Sequence, residues 1–163
     1  MPCNLAYHYS KIPHGHRKEG RFGQMEKVIA FFYCQNTPGS TEVDRQVVEK
    51  KYGNNIRLFP MPCGGRFEPV HVMRALESFA DAAYVITCPV GTCRYFEGNL
   101  RAQKRMMRTK ELIESIGLER DRVDIYVRSG KSGEKLANIV EELLDRASSL
   151  PGSPVFKKTE RLL

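Results

Sequence analysis

The sequence predicts an α/β fold, a three-layer sandwich built on a four-stranded, mainly parallel sheet with flanking terminal arms. Three observations predict it. Four short apolar runs rich in Val, Ile, Phe and Tyr recur along the chain, at 27–33, 56–59, 82–87 and 124–127. They mostly lack period-two alternation, which marks strands covered on both faces. Each run is followed by a segment of helical period, and strand-helix alternation four times over builds a parallel sheet with helices on both sides.

The first strand, "KVIAFFY", leads into a helix over 41–51 carrying Val43 and Val47, started by Thr41 with Asp44 at capping-box spacing. The second, "IRLF", precedes a helix over 68–79 with Val72, Leu76 and Phe79 on one face and Pro69 in its first turn. The third, "AAYVIT", precedes a helix over 99–116 carrying Leu100, Met107, Ile113 and Ile116, with Asn99 as cap and Gly117 as stop. The fourth, "DIYV", precedes a helix over 132–147 with Leu136, Val140, Leu143 and Ala147, capped by Ser132. Strand order 2-1-3-4 is expected.

A chain of 163 residues with 41% hydrophobic content has the size of one domain, placed here at 26–148. Residues 1–25 and 149–163 read as an N-terminal arm and a C-terminal tail, because both carry Gly, Pro and charge without apolar periodicity. The longest apolar stretch, Val28 to Tyr33, falls far short of the roughly 20 residues of a membrane helix, and the N-terminus lacks the pattern of a secretory or transit signal. A cytoplasmic location is the expectation, and there cysteines serve as ligands, reactive thiols or core residues more than as a disulfide framework.

Four of the five cysteines fall at one edge of this frame. Cys34 follows the first strand, Cys63 the second and Cys88 the third, and Cys93 lies five residues beyond Cys88 in "CPVGTC". Ligands of open parallel sheets collect at the strand carboxyl ends, near the point where strand order reverses. In the order 2-1-3-4 the first three strands are adjacent, at about 4.8 Å spacing, so these thiols converge. Four convergent thiols suit a tetrahedral zinc or an iron-sulfur cluster, and scattered single cysteines with one C-x4-C loop favour the cluster over paired zinc knuckles. Gly64, Gly65, Gly91 and Thr92 offer backbone N–H groups to the sulfurs. Buried core thiols are the alternative reading, and Cys3, in the arm, has no place in the set.

Other features carry less. "RSGKSGEK" fails the spacing of a phosphate loop and reads as a turn and helix start. His8, His14, His16 and His71 read as surface or contact residues. "NLRAQKRMMRTK" places Arg101, Lys104, Arg105 and Arg108 on one helical face beside Cys93, as a docking stripe for an acidic partner, a nucleic-acid surface or a solvated face. The formal charge of +7 does not choose between these. The chain lacks an RNA-binding aromatic motif, which counts against nucleic acid.

The run from "VIAFFYC" through "MPCGGRFEPVHVMRALESFADAAYVITCPVGTCRYFEGNLRAQKR" to "ELIESIGLERDRVDIYVRSGKSGEKLANIVEEL" resembles the delta subunit of methyl-viologen-reducing hydrogenase, a family of small iron-sulfur proteins associated with heterodisulfide reductases. The resemblance covers roughly 27–146. It implies a non-catalytic electron-transfer subunit holding one [2Fe-2S] cluster through Cys34, Cys63, Cys88 and Cys93, in a complex of anaerobic metabolism. Its implied partners are an oxidoreductase such as a hydrogenase or formate dehydrogenase, and an electron-bifurcating, heterodisulfide-reductase-A-like flavoprotein. Related complexes reduce aromatic acyl-CoA or methylenetetrahydrofolate. Where the family commonly carries a "CCNWC"-like stretch, this chain has "FYCQN" with Cys34 alone. Readings from other classes are a zinc-binding structural adaptor and a basic nucleic-acid-binding module.

Overall fold

A computed structural model of the chain describes residues 27–156. The strands are β1 (Ile29–Cys34), β2 (Ile56–Met61), β3 (Ala82–Thr87) and β4 (Val123–Val127), and the helices α1 (Glu42–Tyr52), α2 (Pro69–Ser78), α3 (Gly98–Ser115) and α4 (Leu136–Ser148). The sheet is wholly parallel in the order β2-β1-β3-β4, as the sequence predicts. The chain moves from β1 to β2 through α1 on one face, then back across the sheet through α2 and α3 on the other, as a uniform crossover hand requires.

Parity along the strands sorts the core into two halves. Ile29, Phe31 and Tyr33 of β1, with Tyr84 and Ile86 of β3, pack against Val48 of α1 and Leu136, Ile139, Val140 and Leu143 of α4. Ala30 and Phe32 of β1, with Ala83 and Val85 of β3, pack against Val72, Ala75 and Leu76 of α2 and Ala102, Met106 and Ile113 of α3. The two central strands are buried at every position, which is why their sequences show no alternation.

Several local expectations are met. Thr41 and Asp44 form a reciprocal capping box, Asp44 N–H donating to Thr41 Oγ1 at 3.2 Å and Thr41 N–H to Asp44 Oδ2 at 3.1 Å. Pro69 opens α2, and Gly117 (φ 80°) takes the left-handed conformation that ends α3.

Others are corrected. Val43 and Val47 are 69% and 64% exposed, and α1 instead turns Val48 and Tyr52 inward. Leu100, Met107 and Ile116 of α3 face outward as well; the buried stripe is Ala102, Met106, Thr109 and Ile113, whose small members an apolar pattern does not register. Asn99 is not a cap, since α3 begins at Gly98 behind Glu97. Helix α4 starts at Leu136, not at a Ser132 cap. The Glu134 carboxylate accepts the N–H groups of Ser129 at 2.9 Å and Gly130 at 2.8 Å, and Gly130 and Gly133 have φ of 84° and 97°. That turn is incompatible with a helix before Leu136.

The amino edge of the sheet is closed by ionic groups. Asp81 accepts the N–H of Val28 (2.9 Å) and of Ser153 (2.8 Å), while Arg122, with its side chain wholly buried, donates to Asp81 O (2.9 Å), Pro151 O (3.0 Å) and the Glu119 carboxylate. Lys27 donates to Ser148 O and Leu150 O. The segment read as a free tail from 149 is therefore bound into the domain as far as the buried Ser153. The arm at 1–25, with Cys3, His8, His14 and His16, lies outside the described residues, as does the tail beyond 156.

Candidate functional site

The opposite, carboxyl edge receives the cysteines. Cys34 is the last residue of β1 and is wholly buried; Cys63 follows β2 by two residues, and Cys88 directly follows β3. The order of strands reverses between β1 and β3, so Cys34 and Cys88 stand at the switch point of the sheet. By strand parity Cys34 lies on the α2/α3 side, and Cys63 and Cys93 meet there with their Sγ atoms 3.7 Å apart. All four are free thiols.

The thiols act on one another electrostatically. Burial pushes the Cys88 thiol up to about 12, and the neighbouring Cys34, Cys93 and Cys63 push in the same direction. Burial likewise raises Cys63, opposed by the Gly65 N–H and reinforced by Cys93 and Cys34. Cys93 behaves differently: burial works to raise it, but the N–H groups of Tyr95, Gly98 and Asn99 and the bond from Cys63 outweigh burial and hold it below the usual thiol range. Two of those N–H groups belong to the first turn of α3, where the helix dipole favours a thiolate.

Glycines make this approach possible. A Cβ on Gly98 would stand 2.3 Å from Cys63 Sγ and 3.0 Å from Cys93 Sγ. A Cβ on Gly65 would strike Gly98 Cα at 2.7 Å, and one on Gly64 would strike Thr87 Cγ2 at 2.6 Å. The "CGG" turn is thus wedged between the end of β3 and the start of α3. Gly65 N–H donates to Cys63 Sγ at 3.3 Å, as expected of it, whereas Thr92 N–H turns to Pro89 O and Gly91 (φ 79°) serves the bend of the loop.

Four residues contribute in ways a sequence reading does not give. Asn99 is buried and its Nδ2 donates to Cys88 O (3.2 Å) and Pro89 O (2.7 Å), tying the cysteine loop to α3. Thr37 and Thr87, each beside a cysteine-bearing strand end, bury hydroxyls that have no hydrogen-bond partner among the described residues. Arg105 does not share the solvent face of the basic stripe. Its guanidinium turns inward, donating to Gly65 O and Phe67 O at 2.8 Å each and pairing with Glu68 at 3.1 Å. Arg101, Lys104 and Arg108 stay exposed, with Arg108 on Glu111 (3.0 Å) and Arg101 3.9 Å from Glu97. An open cavity of about 400 Å³ reaches Cys63 and Gly98 between Arg66, Arg101, Arg105 and Tyr95. His71 is a contact residue, stacked on Phe32 with its Nδ1 accepting the Glu68 N–H.

The donor set fits a thiolate-bound metal group. A tetrahedral ion with metal-sulfur bonds of about 2.3 Å separates two of its ligands by about 3.8 Å, and Cys63 and Cys93 stand at 3.7 Å. Among the described residues no three His, Cys, Asp or Glu side chains close round a single ion. What stands at the edge is one thiol pair in contact and two further thiols within electrostatic reach. Among the described residues no helix is long and apolar enough to cross a membrane.

Comparison with known proteins places the chain beside relatives named iron-sulfur subunits. The chain is 30% identical over 132 residues to the D-type iron-sulfur subunit of the vhu F420-non-reducing hydrogenase of Methanocaldococcus jannaschii, covering 80% of this chain and 98% of that one. It is 35% identical over 91 residues to the D-type iron-sulfur subunit of the F420-non-reducing hydrogenase of Archaeoglobus profundus, 56% of this chain and 66% of the other. It is 37% identical over 110 residues to the A-type subunit of the ferredoxin:CoB-CoM heterodisulfide reductase of Methanosarcina mazei, 68% of this chain but 14% of that longer one. Residues 29–150, from the first strand to the end of the last helix, match the family model of the methyl-viologen-reducing hydrogenase delta subunit, and the chain belongs to that family.

Proposed function

We propose that the chain is an electron-transfer subunit whose carboxyl edge holds a [2Fe-2S] cluster through Cys34, Cys63, Cys88 and Cys93. The observation that carries this is the meeting of Cys63 and Cys93 at 3.7 Å, with Cys34 and Cys88 within electrostatic reach. Relatives named iron-sulfur subunits of hydrogenases support the cofactor class. When bound, such a cluster supplies a one-electron donor and acceptor.

The chain's own part is to bind, insulate and place. The four cysteines give up their protons on binding, which raised thiols such as Cys88 make pH-dependent. N–H groups of Gly65, Tyr95, Gly98 and Asn99 face the sulfurs of Cys63 and Cys93 and hold negative charge there. The buried ends of β1 and β3 keep water from Cys34 and Cys88. Electron relay needs no general acid or base.

Its partners are proposed to be an oxidoreductase of the hydrogenase or formate dehydrogenase kind and a heterodisulfide-reductase-A-like flavoprotein, in an anaerobic, electron-bifurcating complex of the cytoplasm. Support comes from the Methanosarcina mazei heterodisulfide reductase, in which a stretch similar to this chain is one part of a longer polypeptide.

The test is anaerobic purification with iron, acid-labile sulfide and zinc measured together. About two irons and two sulfides per chain are expected, with visible absorption that bleaches on reduction. One zinc without sulfide would select the structural adaptor reading, and neither metal would overturn both. Cys63→Ser and Cys88→Ser should each abolish cluster retention while far-UV circular dichroism stays unchanged.

A further inference from the structure

Arg105 occupies a position that docking does not explain. It lies on α3, two turns after Gly98, and reaches back to the turn that carries Cys63. Two carbonyls of that turn, Gly65 O and Phe67 O, each accept from the same guanidinium nitrogen at 2.8 Å. The second nitrogen pairs with Glu68 at 3.1 Å, so three groups of one short loop share one side chain. Between those carbonyls and Cys63 sits Gly65, whose N–H donates to Cys63 Sγ at 3.3 Å. The loop is also held by its own backbone turn, by buried Phe67 and by the close approach of Gly64 and Gly65 to Thr87 and Gly98. But Gly64 and Gly65 carry no side chains and Arg66 is exposed, so the side-chain hydrogen bonds to its carbonyls come from Arg105.

We infer that Arg105 is a positioning residue for the Cys63 thiolate, acting through the Gly65 turn, and a tuning charge for the group that Cys63 binds. The first role follows from geometry. Pinning Gly65 O and Phe67 O fixes the peptide plane after Gly65, and with the plane before it held by the Phe67 N–H on Gly64 O at 2.9 Å this restrains the direction of the Gly65 N–H toward sulfur. The second follows from charge: a guanidinium keeps its charge throughout the accessible pH range, and Arg105 lines the same cavity as Cys63. A cation and an N–H donor both favour the more negative, reduced form of a sulfur-ligated centre. Glu68 opposes this by neutralising part of the charge. Lysine, a single-point donor, keeps the charge but cannot hold the three acceptors.

This inference rests on the cluster reading for its potential and is independent of it for its geometry, so two measurements separate the two. In cluster-free protein, diamide takes two electrons and two protons from the Cys63 and Cys93 thiols as their disulfide forms. The Cys63–Cys93 peptide is then counted by mass spectrometry over time. Arg105→Gln should slow that crosslink about tenfold, the factor that ~1.4 kcal/mol represents, and Arg105→Lys by less. In cluster-loaded protein, redox titration followed by electron paramagnetic resonance should give a more negative potential for Arg105→Gln and an intermediate value for Arg105→Lys. Glu68→Gln, which keeps Arg105 on both carbonyls, should shift the potential the other way. Unchanged crosslinking in all Arg105 variants overturns the positioning role whether or not a cluster is present. Unchanged potentials in Arg105→Gln and Glu68→Gln, in protein that retains iron, overturn the tuning role, as does a loss of thermal stability without either shift.

Discussion

The two edges of one parallel sheet are built on opposite plans. At the amino edge, Asp81, Arg122 and Lys27 find their partners within the chain: both Asp81 oxygens accept backbone N–H groups, and the buried Arg122 reaches two carbonyls and a carboxylate. At the carboxyl edge, beside Asn99 and Arg128 whose side chains reach backbone carbonyls, stand thiols, two buried hydroxyls without partners among the described residues and a glycine pressed against sulfur. A buried polar group left unpaired costs free energy, and charged groups cost most. One edge therefore holds the chain ends together at low energy. The other keeps donors and acceptors in reserve, which suits a bound group that completes them.

Substitutions at the amino edge should do the greatest damage to folding. Asp81→Ala leaves the N–H groups of Val28 and Ser153 without acceptors, while Arg122 keeps the residue-81 carbonyl and Glu119. A loss of about 3–5 kcal/mol in urea unfolding is expected. In conditions where the variant stays folded, Cys63–Cys93 crosslinking should keep its rate. A thiol spacing that collapses with Asp81 would show that the edges are not independent.

Gly98→Ala makes the complementary change. Its Cβ would lie 2.3 Å from Cys63 Sγ, so either the thiol or the start of α3 must move. The cost in folding should be smaller, about 1–3 kcal/mol, while iron retention falls sharply. A variant that loads iron normally would mean that the present contact is not the one required.

These contrasts mark what the sequence could and could not disclose. That Cys34, Cys63 and Cys88 lie at one edge was legible because a parallel sheet converts "just after a strand" into "at one edge", whatever the separation in sequence. The faces of α2 and α4 were legible because large aliphatics recur there at helical spacing. Helix α3 was not, since Ala102 and Thr109 carry its inward stripe and Leu100 and Met107 point out. Arg105 was grouped with Arg101 and Arg108 by spacing alone. Its acceptors are backbone carbonyls some forty residues earlier, |i−j| of 40 and 38, which no side-chain pattern records. The amino-edge clamp was hidden for the same reason: Asp81 and Ser153 sit in loops and Arg122 in a single 3-10 turn, where a charged or small polar residue reads as solvent-facing until the fold closes over it.

Acid should weaken the fold through Asp124, near the start of β4. Burial works to raise its carboxyl, but hydrogen bonds from Lys110 and Arg146, both at 2.6 Å, hold it below the usual carboxylate range. A depressed folded-state value contributes stability that is present above the unfolded value, near 4, and is lost as pH falls through the lower folded value. Lys110→Met should therefore cost about 1 kcal/mol at neutral pH and less at pH 2. Crosslinking of Cys63 and Cys93 slows as acid removes thiolate in any folded chain, so Lys110→Met should crosslink no more slowly than the parent at each pH where both stay folded. A crosslinking rate that falls in Lys110→Met alone, above its unfolding midpoint, would contradict the separation of Asp124 from the thiol edge.

The smallest effect carries the sharpest test of the contrast. Thr87 ends β3 on the α2/α3 side, its methyl packed toward Gly64 and its hydroxyl buried without a partner. Valine has the same shape and lacks only that hydroxyl. At the amino edge, removing a buried polar group should be ruinous, because its partners are orphaned. At Thr87 the same kind of change removes an orphan, and the cluster-free protein should become slightly more stable, by about 0.5–1 kcal/mol in urea. If the hydroxyl acquires its partner when the edge binds its metal group, that gain should vanish or reverse in the loaded protein. A Thr87→Val variant destabilised in the cluster-free state would show that the hydroxyl is already satisfied within the chain, and the carboxyl edge would then lose its claim to be an unfinished one.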